Sequence, residues 1–146
     1  MSLPRPLFGA EPPSLWHARP PVVVDCSAVA ALLWSEPSGT EALTRIEGRR
    51  LHAPGLLPYE LANVARSKCR SGVPPAAAQD GLGTFDDLRI TLHEVDAVAL
   101  FQLATHYELT AYDAAYLWLA AELDAPLITF DRRLALAAQR HLDPRG

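Results

Sequence analysis

The chain sends short apolar runs into helical stretches again and again, and this alternation constrains its fold more than any other feature. "VVVD" (22–25) is a β-branched run ended by an Asp, and "CSAVAALLW" (26–34) follows at helical spacing. That is a strand feeding a helix. "EPSGTEALTRIEG" (36–48) reads as a second helix stopped by Gly48, and "LHAP" (51–54) as a second short strand. "GLLPYELANVARSKCRSG" (55–72) is a long amphipathic helix with Leu57, Leu61, Val64 and Ala65 on its apolar face and Gly72 closing it. "PPAAAQDGLGTFDDL" (74–88) is a helix weakened by Gly81 and Gly83. "RITLHEV" (89–95) is a third strand, followed by helices over 96–109 and 111–123. "PLITFDRRLALAAQ" (126–139) repeats the opening theme, with the strand "LIT" leading through Asp131 into a last helix. Such alternation predicts an α/β fold: a three-layer α/β/α sandwich around a mostly parallel sheet of four or five strands. "HLDPRG" is too short and polar to supply the fifth.

With 146 residues and 49% hydrophobic content, the chain can bury about two-thirds of its unfolded surface in one core. Six of the thirteen prolines fall in the first 21 residues, where no periodicity survives. Residues 1–20 therefore read as an irregular arm, which Phe8 and Trp16 could dock, and residues 21–146 as the domain. Charge is 13 basic against 17 acidic, a net of -4, which argues against nonspecific coating of nucleic acid. If four of the acids share a metal site, the remaining surface is neutral and a bound cation tilts it positive. Cys26 and Cys69 form no CxxC pair and read as small packing residues of a reducing cytosol. The five histidines lack the spacing of a zinc site. No leader pattern opens the chain and no run approaches a membrane span, so a soluble cytoplasmic protein is expected.

In an open parallel sheet, functional groups gather beyond the carboxyl ends of the strands. Asp25 ends the first strand and Asp131 follows the fourth, so both point at one edge. Asp113 opens a helix in "TAYDAAY", and Glu60 sits in the first turn of the helix over 57–71 with Asn63 one turn on along the same face. Each acid taken alone has an ordinary explanation as a helix cap or a first-turn acid. Thr110 and Asp113 resemble a capping box. Taken together, two sheet-edge acids and two helix-start acids can converge. Clustered carboxylates raise one another's pKa unless a cation neutralises them, and the oxygen-seeking candidates are Mg²⁺ and Mn²⁺.

"VVVDCSAVAALL", "PYELANVARS", "AYDAAYLWLA" and "LITFDRRLA" stand in the order and approximate spacing of the acidic motifs of PIN-domain ribonucleases. Over roughly residues 21–140 the chain resembles the bacterial VapC-type toxins of toxin–antitoxin pairs. The resemblance implies that Asp25, Glu60, Asp113 and Asp131 are a catalytic and metal-binding quartet, supported by Ser27, Asn63 and Thr129. It implies Mg²⁺- or Mn²⁺-dependent endonucleolytic cleavage of RNA, inhibition by a cognate antitoxin protein, and a homodimer. The proline-rich arm and the missing final strand depart from the family pattern.

On this reading Asp25 and Asp113 are direct metal ligands, and Glu60 and Asp131 act through water or complete the site. RNA phosphates need cations, and Arg66, Lys68, Arg70, Arg132 and Arg133 are the candidates by proximity, although solvated helix faces are the more ordinary explanation for each. Tyr59 and Tyr112 each precede a site acid and could stack bases, but packing explains them too. Two other classes stay open. One is a catalytically inactive PIN-fold binding module. The other is a receiver-like phosphoacceptor domain, which needs an acidic pair after its first strand and a Lys near its last; here one Asp follows that strand and the only Lys is Lys68.

Overall fold

Val22, Val23 and Val24 are all buried, without the alternation of a one-sided strand. A strand covered by helices on both faces reads as a continuous apolar run for this reason. Full burial of each valine side chain stabilises by roughly 1.5–3 kcal/mol. The computed structural model describes residues 19–143. The arm expected over 1–20, with Phe8 and Trp16, lies outside the described residues as far as position 18.

The described elements are β1 (Pro21–Val24), α1 (Cys26–Leu33), α2 (Gly39–Ile46), β2 (Arg50–Pro54), α3 (Leu57–Arg70), α4 (Pro75–Gly83), a 3₁₀ turn (Phe85–Leu88), β3 (Thr91–His93), α5 (Ala97–Tyr107), α6 (Ala111–Glu122), β4 (Leu127–Ile128) and α7 (Arg132–Leu142). The four strands form one sheet in the order β3-β2-β1-β4, and every pairing is parallel. Val23 pairs with His52 on one side and with Leu127 on the other. The expected α/β sandwich is thus observed, with a four-stranded sheet.

The strand order decides where a site can form. From β1 to β3 the chain steps one way across the sheet, and the connection through α5 and α6 then returns past β2 and β1 to β4. Because parallel crossovers are right-handed, steps in opposite directions place their helices on opposite faces. The carboxyl ends of β1 and β4 therefore open a crevice at the reversal point, where ligands bind in sheets of this kind. α6 packs on β1 and β2 from the return side, while α5 lies outside it and α7 packs on α6 and β4.

Element ends follow local chemistry. Gly48 and Gly72, expected as helix stops, take the left-handed backbone with φ of 72° and 104°. The helix expected from residue 36 begins only at Gly39, because Ser35 has a φ of 49° and Glu36 precedes a proline. The helix expected over 74–88 breaks at Gly83 and finishes as the 3₁₀ turn. Gly81 has a packing reason to lack a side chain, since a Cβ there would lie 2.2 Å from Nε1 of Trp34. That indole donates to the Ala78 carbonyl at 3.2 Å. Trp34 and Trp118 both pack against the core as half-buried residues. No described helix is long and apolar enough to cross a membrane.

Candidate active site

Asp25 is the first residue beyond β1, and it is 4% exposed. Its carboxylate caps α1 by accepting from the Ala28 N–H at 3.0 Å, and Oδ1 also accepts from the Ser27 hydroxyl at 2.7 Å. The Thr129 hydroxyl donates to Oδ2. The same two hydroxyls accept from the neighbouring backbone: Phe130 N–H donates to Ser27 Oγ at 2.8 Å, and Asp131 N–H to Thr129 Oγ1 at 3.0 Å. The junctions after β1 and β4 are thereby locked together around one buried carboxylate.

Asp131 caps α7 through the Leu134 N–H at 2.9 Å. At α6 the cap is Thr110, whose hydroxyl accepts from Asp113 N–H at 3.1 Å, so the Asp113 carboxylate is left over in the first turn. Glu60 lies in the first turn of α3 and accepts from the Tyr116 hydroxyl at 2.6 Å. The capping reading is therefore correct for Asp25 and Asp131 and falls to a neighbour at Asp113. Capping by one carboxylate oxygen does not consume the other lone pairs.

The acids feel one another. Burial pushes the Asp25 carboxyl above its usual range against the hydrogen bonds from Thr129, Ser27 and Ala28, and the Asp131 charge pushes the same way. Glu60 is raised by burial, opposed by Tyr116 and reinforced by Asp113 and Asp25. Asp113 is raised by burial and by Asp131, with Thr110 and Arg133 opposing. All four acids thus belong to one electrostatic neighbourhood. Among the described residues, however, no three His, Cys, Asp or Glu side chains approach closely enough to clasp a metal ion between them.

Tyr116 escaped the sequence reading. It is 1% exposed and resembles an ordinary core aromatic, yet its place three residues after Asp113 puts both on one helical face. That spacing was the available signal. Cys26 is half-buried beside Glu60, and burial pushes its thiol up to about 12, which suits the packing role expected of it.

The cations divide into two groups. Arg132 and Arg133, directly after Asp131, line a cavity of about 440 Å³ with Arg140, His106 and Tyr107. Arg66 and Arg70 are exposed on α3. Lys68 pairs with Glu36 at 2.7 Å and lies 5.2 Å from the centroid of the Trp34 ring, so its charge is already matched. Asn63 is exposed one turn after Glu60.

A family model described as PIN domain matches residues 22–139. The chain belongs to the PIN domain family. The match starts one residue into β1 and takes in the other three strands and all four acids. Among similar proteins, the PIN domain is 32% identical over 120 residues to Ribonuclease VapC3 of Pyrobaculum aerophilum, covering 78% of this chain and 92% of that protein. It is 35% identical over 121 residues to Ribonuclease VapC9 of Mycobacterium tuberculosis, covering 81% and 91%. The crystal structure of PAE2754 from Pyrobaculum aerophilum superposes on this PIN domain with a TM-score of 0.67 at 25% identity, over 84% of this chain and 93% of that one.

Proposed function

We propose that this PIN domain is a divalent-metal-dependent endoribonuclease and the toxin of a toxin–antitoxin pair. The observation that carries the reading is the gathering of Asp25, Glu60, Asp113 and Asp131 around the reversal point of the sheet, near enough for their charges to act on one another. Relatives named VapC ribonucleases over most of the chain supply the substrate class.

The donor set fits Mg²⁺ or Mn²⁺. All four side chains offer oxygen, and the carboxyls of Asp25, Glu60 and Asp113, raised first by burial and further by neighbouring acids, would be relieved by a divalent cation. Since no three of them clasp a common point, part of the coordination would be water, which Mg²⁺ retains readily. Asp25 and Asp113 would be the direct ligands, with Glu60 and Asp131 holding coordinated waters. A bound ion supplies charge stabilisation for the phosphodiester and a water of lowered pKa.

The chain's own residues do the positioning. Ser27 and Thr129 fix the Asp25 carboxylate, and Tyr116 fixes Glu60. Arg133, whose charge reaches Asp113, and its neighbour Arg132 would hold the RNA backbone at the same edge. Arg66 and Asn63 would extend the contact along α3. Lys68 is the weakest of the candidate cations because Glu36 already neutralises it. The cognate antitoxin is the expected inhibitor, and a homodimer in the cytoplasm the expected form.

The test is cleavage of a mixed RNA pool by the purified protein with Mg²⁺, with Mn²⁺ and with EDTA, beside an Asp25→Asn control. The expected result is metal-dependent cleavage that EDTA and Asp25→Asn each abolish. Cleavage that survives in the control sinks the assignment of Asp25. A folded, partner-free protein that cleaves nothing under any condition favours the inactive binding module.

A further inference from the structure

A second cavity adjoins the acids, and its lining differs in kind from the arginine cavity beside α7. It measures about 490 Å³ and opens between α1, α3 and α6, with Cys26, Glu60, Asn63, Ser67, Tyr59 and Tyr112 among its walls. That size lies within the general range of small-ligand sites, roughly 300–1,000 Å³.

We propose that this cavity is a nucleobase subsite, in which one unpaired base next to the cleaved bond stacks on Tyr59 and presents its edge to Asn63 and Ser67. The proposal rests on the ribonuclease reading and names how that site would select its substrate.

Exposure is the first argument. Tyr59 is 77% exposed and Tyr112 is 63% exposed, although each sits in the first turn of a well-packed helix whose next residue is a site acid. Neither ring contributes appreciably to the core, so folding does not account for aromatic residues at these two positions. Aromatic rings presented beside a phosphodiester-cleaving centre are the usual platform for unpaired bases.

Spacing is the second. Tyr59, Asn63 and Ser67 stand at successive four-residue steps and form one row along α3. The Asn63 amide offers an acceptor and two donors, and the Ser67 hydroxyl offers both roles. Neither side chain makes a hydrogen bond within the described residues, so the row runs from a stacking surface to free polar edges.

Charge is the third. No Lys, Arg or His lines this cavity, whereas Arg132, Arg133 and Arg140 line the other. A phosphate would go to the arginines. The occupant that suits apolar walls, two phenols, an amide, a hydroxyl and the Glu60 carboxylate is planar, carries no negative charge and offers donors along its edge.

The experiment uses the full chain and a set of short RNA oligomers containing one cleaved bond, each with an abasic ribonucleotide at a different position. Binding is read by fluorescence anisotropy in EDTA and cleavage in Mg²⁺, for wild type, Tyr59→Ala and Tyr59→Phe. Tyr59→Ala should weaken binding and raise KM roughly tenfold or more, in line with the loss of one base stack, while kcat changes little. Tyr59→Phe should restore both. The Tyr59→Ala penalty should vanish on the one oligomer whose missing base is the stacked one. A penalty of equal size on base-bearing and abasic oligomers overturns the proposal. So does unchanged RNA binding in Tyr59→Ala together with loss of a co-purifying partner protein, which would assign the cavity to that protein. Failure of the ribonuclease reading would look different: wild type would cleave no oligomer in Mg²⁺, whatever the anisotropy shows.

Discussion

The Tyr116 hydroxyl donates to Glu60 at 2.6 Å, tying the middle of α6 to the first turn of α3. One oxygen of Glu60 is thereby oriented by a side chain that is itself rigidly packed. Tyr116→Phe keeps the ring and removes only this bond. Groups that orient metal ligands typically change metal affinity by 10–100-fold when lost, so about tenfold more Mg²⁺ should be needed for half-maximal cleavage. The loss in unfolding free energy should be about 1 kcal/mol. Metal titration of the variant checks this, and an unchanged midpoint would detach Glu60 from the metal.

Ionising the acids works against folding in the metal-free chain. Asp25, Glu60 and Asp113 all have carboxyls raised above their unfolded values, so their stability is fully present below those values, near 4, and is lost as pH rises through the folded ones. A divalent cation should reverse that loss. Thermal unfolding with Mn²⁺ and with EDTA should therefore diverge at pH 7.5 and converge near pH 4. A cation present at a hundred times its Kd stabilises by about 2.7 kcal/mol. Equal melting curves at pH 7.5 would remove the basis for a metal site.

How much of this was legible depends on what the sequence pattern encodes. The runs at 22–24 and 127–128 announced two strands because burial on both faces demands uninterrupted apolar residues, and "LHAP" at 51–54 is a strand of the same kind that also buries His52. β3 covers only Thr91–His93 of the run 89–95, since an edge strand has one partner and its pairing to β2 ends at the His93–Pro54 position. The position of Asp25 and Asp131 at one sheet edge followed from strand polarity alone. That their junctions are bolted together by Ser27 and Thr129 did not, because those hydrogen bonds join residues more than a hundred positions apart. The bond from Tyr116 to Glu60 and the pairing of Lys68 with Glu36 were hidden for the same reason, since which group a side chain meets across the fold has no local signature; the spacing of Tyr116 from Asp113 gave its helical face and no more.

Gly81 illustrates the converse, a residue whose sequence signal was read as weakness. In an exposed helix interior, Gly→Ala gains roughly 1 kcal/mol of propensity. Here the added Cβ would meet the Trp34 indole at 2.2–2.7 Å, and displacing that ring also breaks its bond to Ala78. Gly81→Ala should therefore destabilise by roughly 1–3 kcal/mol, the usual cost of overpacking. Urea denaturation reads the change, and a stabilised variant would mean that Trp34 has room to move.

His52 makes the chain sensitive to acid at a point well inside the sheet. Its Nδ1 lies 2.8 Å from Nε2 of His93, so one proton is shared between the two rings. The other nitrogen of His52, Nε2, is buried with no partner among the described residues. A proton on His52 Nδ1 leaves Nε2 as a bare lone pair, and a second proton would bury a charged N–H without an acceptor. Burial, with His93 and Arg50 adding repulsion, accordingly lowers the His52 pKa below the ordinary 6.5. Between those two pH values the unfolded chain binds more protons than the folded one, so this contribution to stability rises with pH in that window. It should be fully present above 6.5 and lost on acidification through the folded pKa. Between pH 8 and pH 5 the urea midpoint of wild type should drop relative to that of His52→Gln, whose side chain carries no charge at either pH, because the raised carboxyls act alike in both proteins. An identical pH dependence in the two proteins would remove His52 as a source of acid sensitivity.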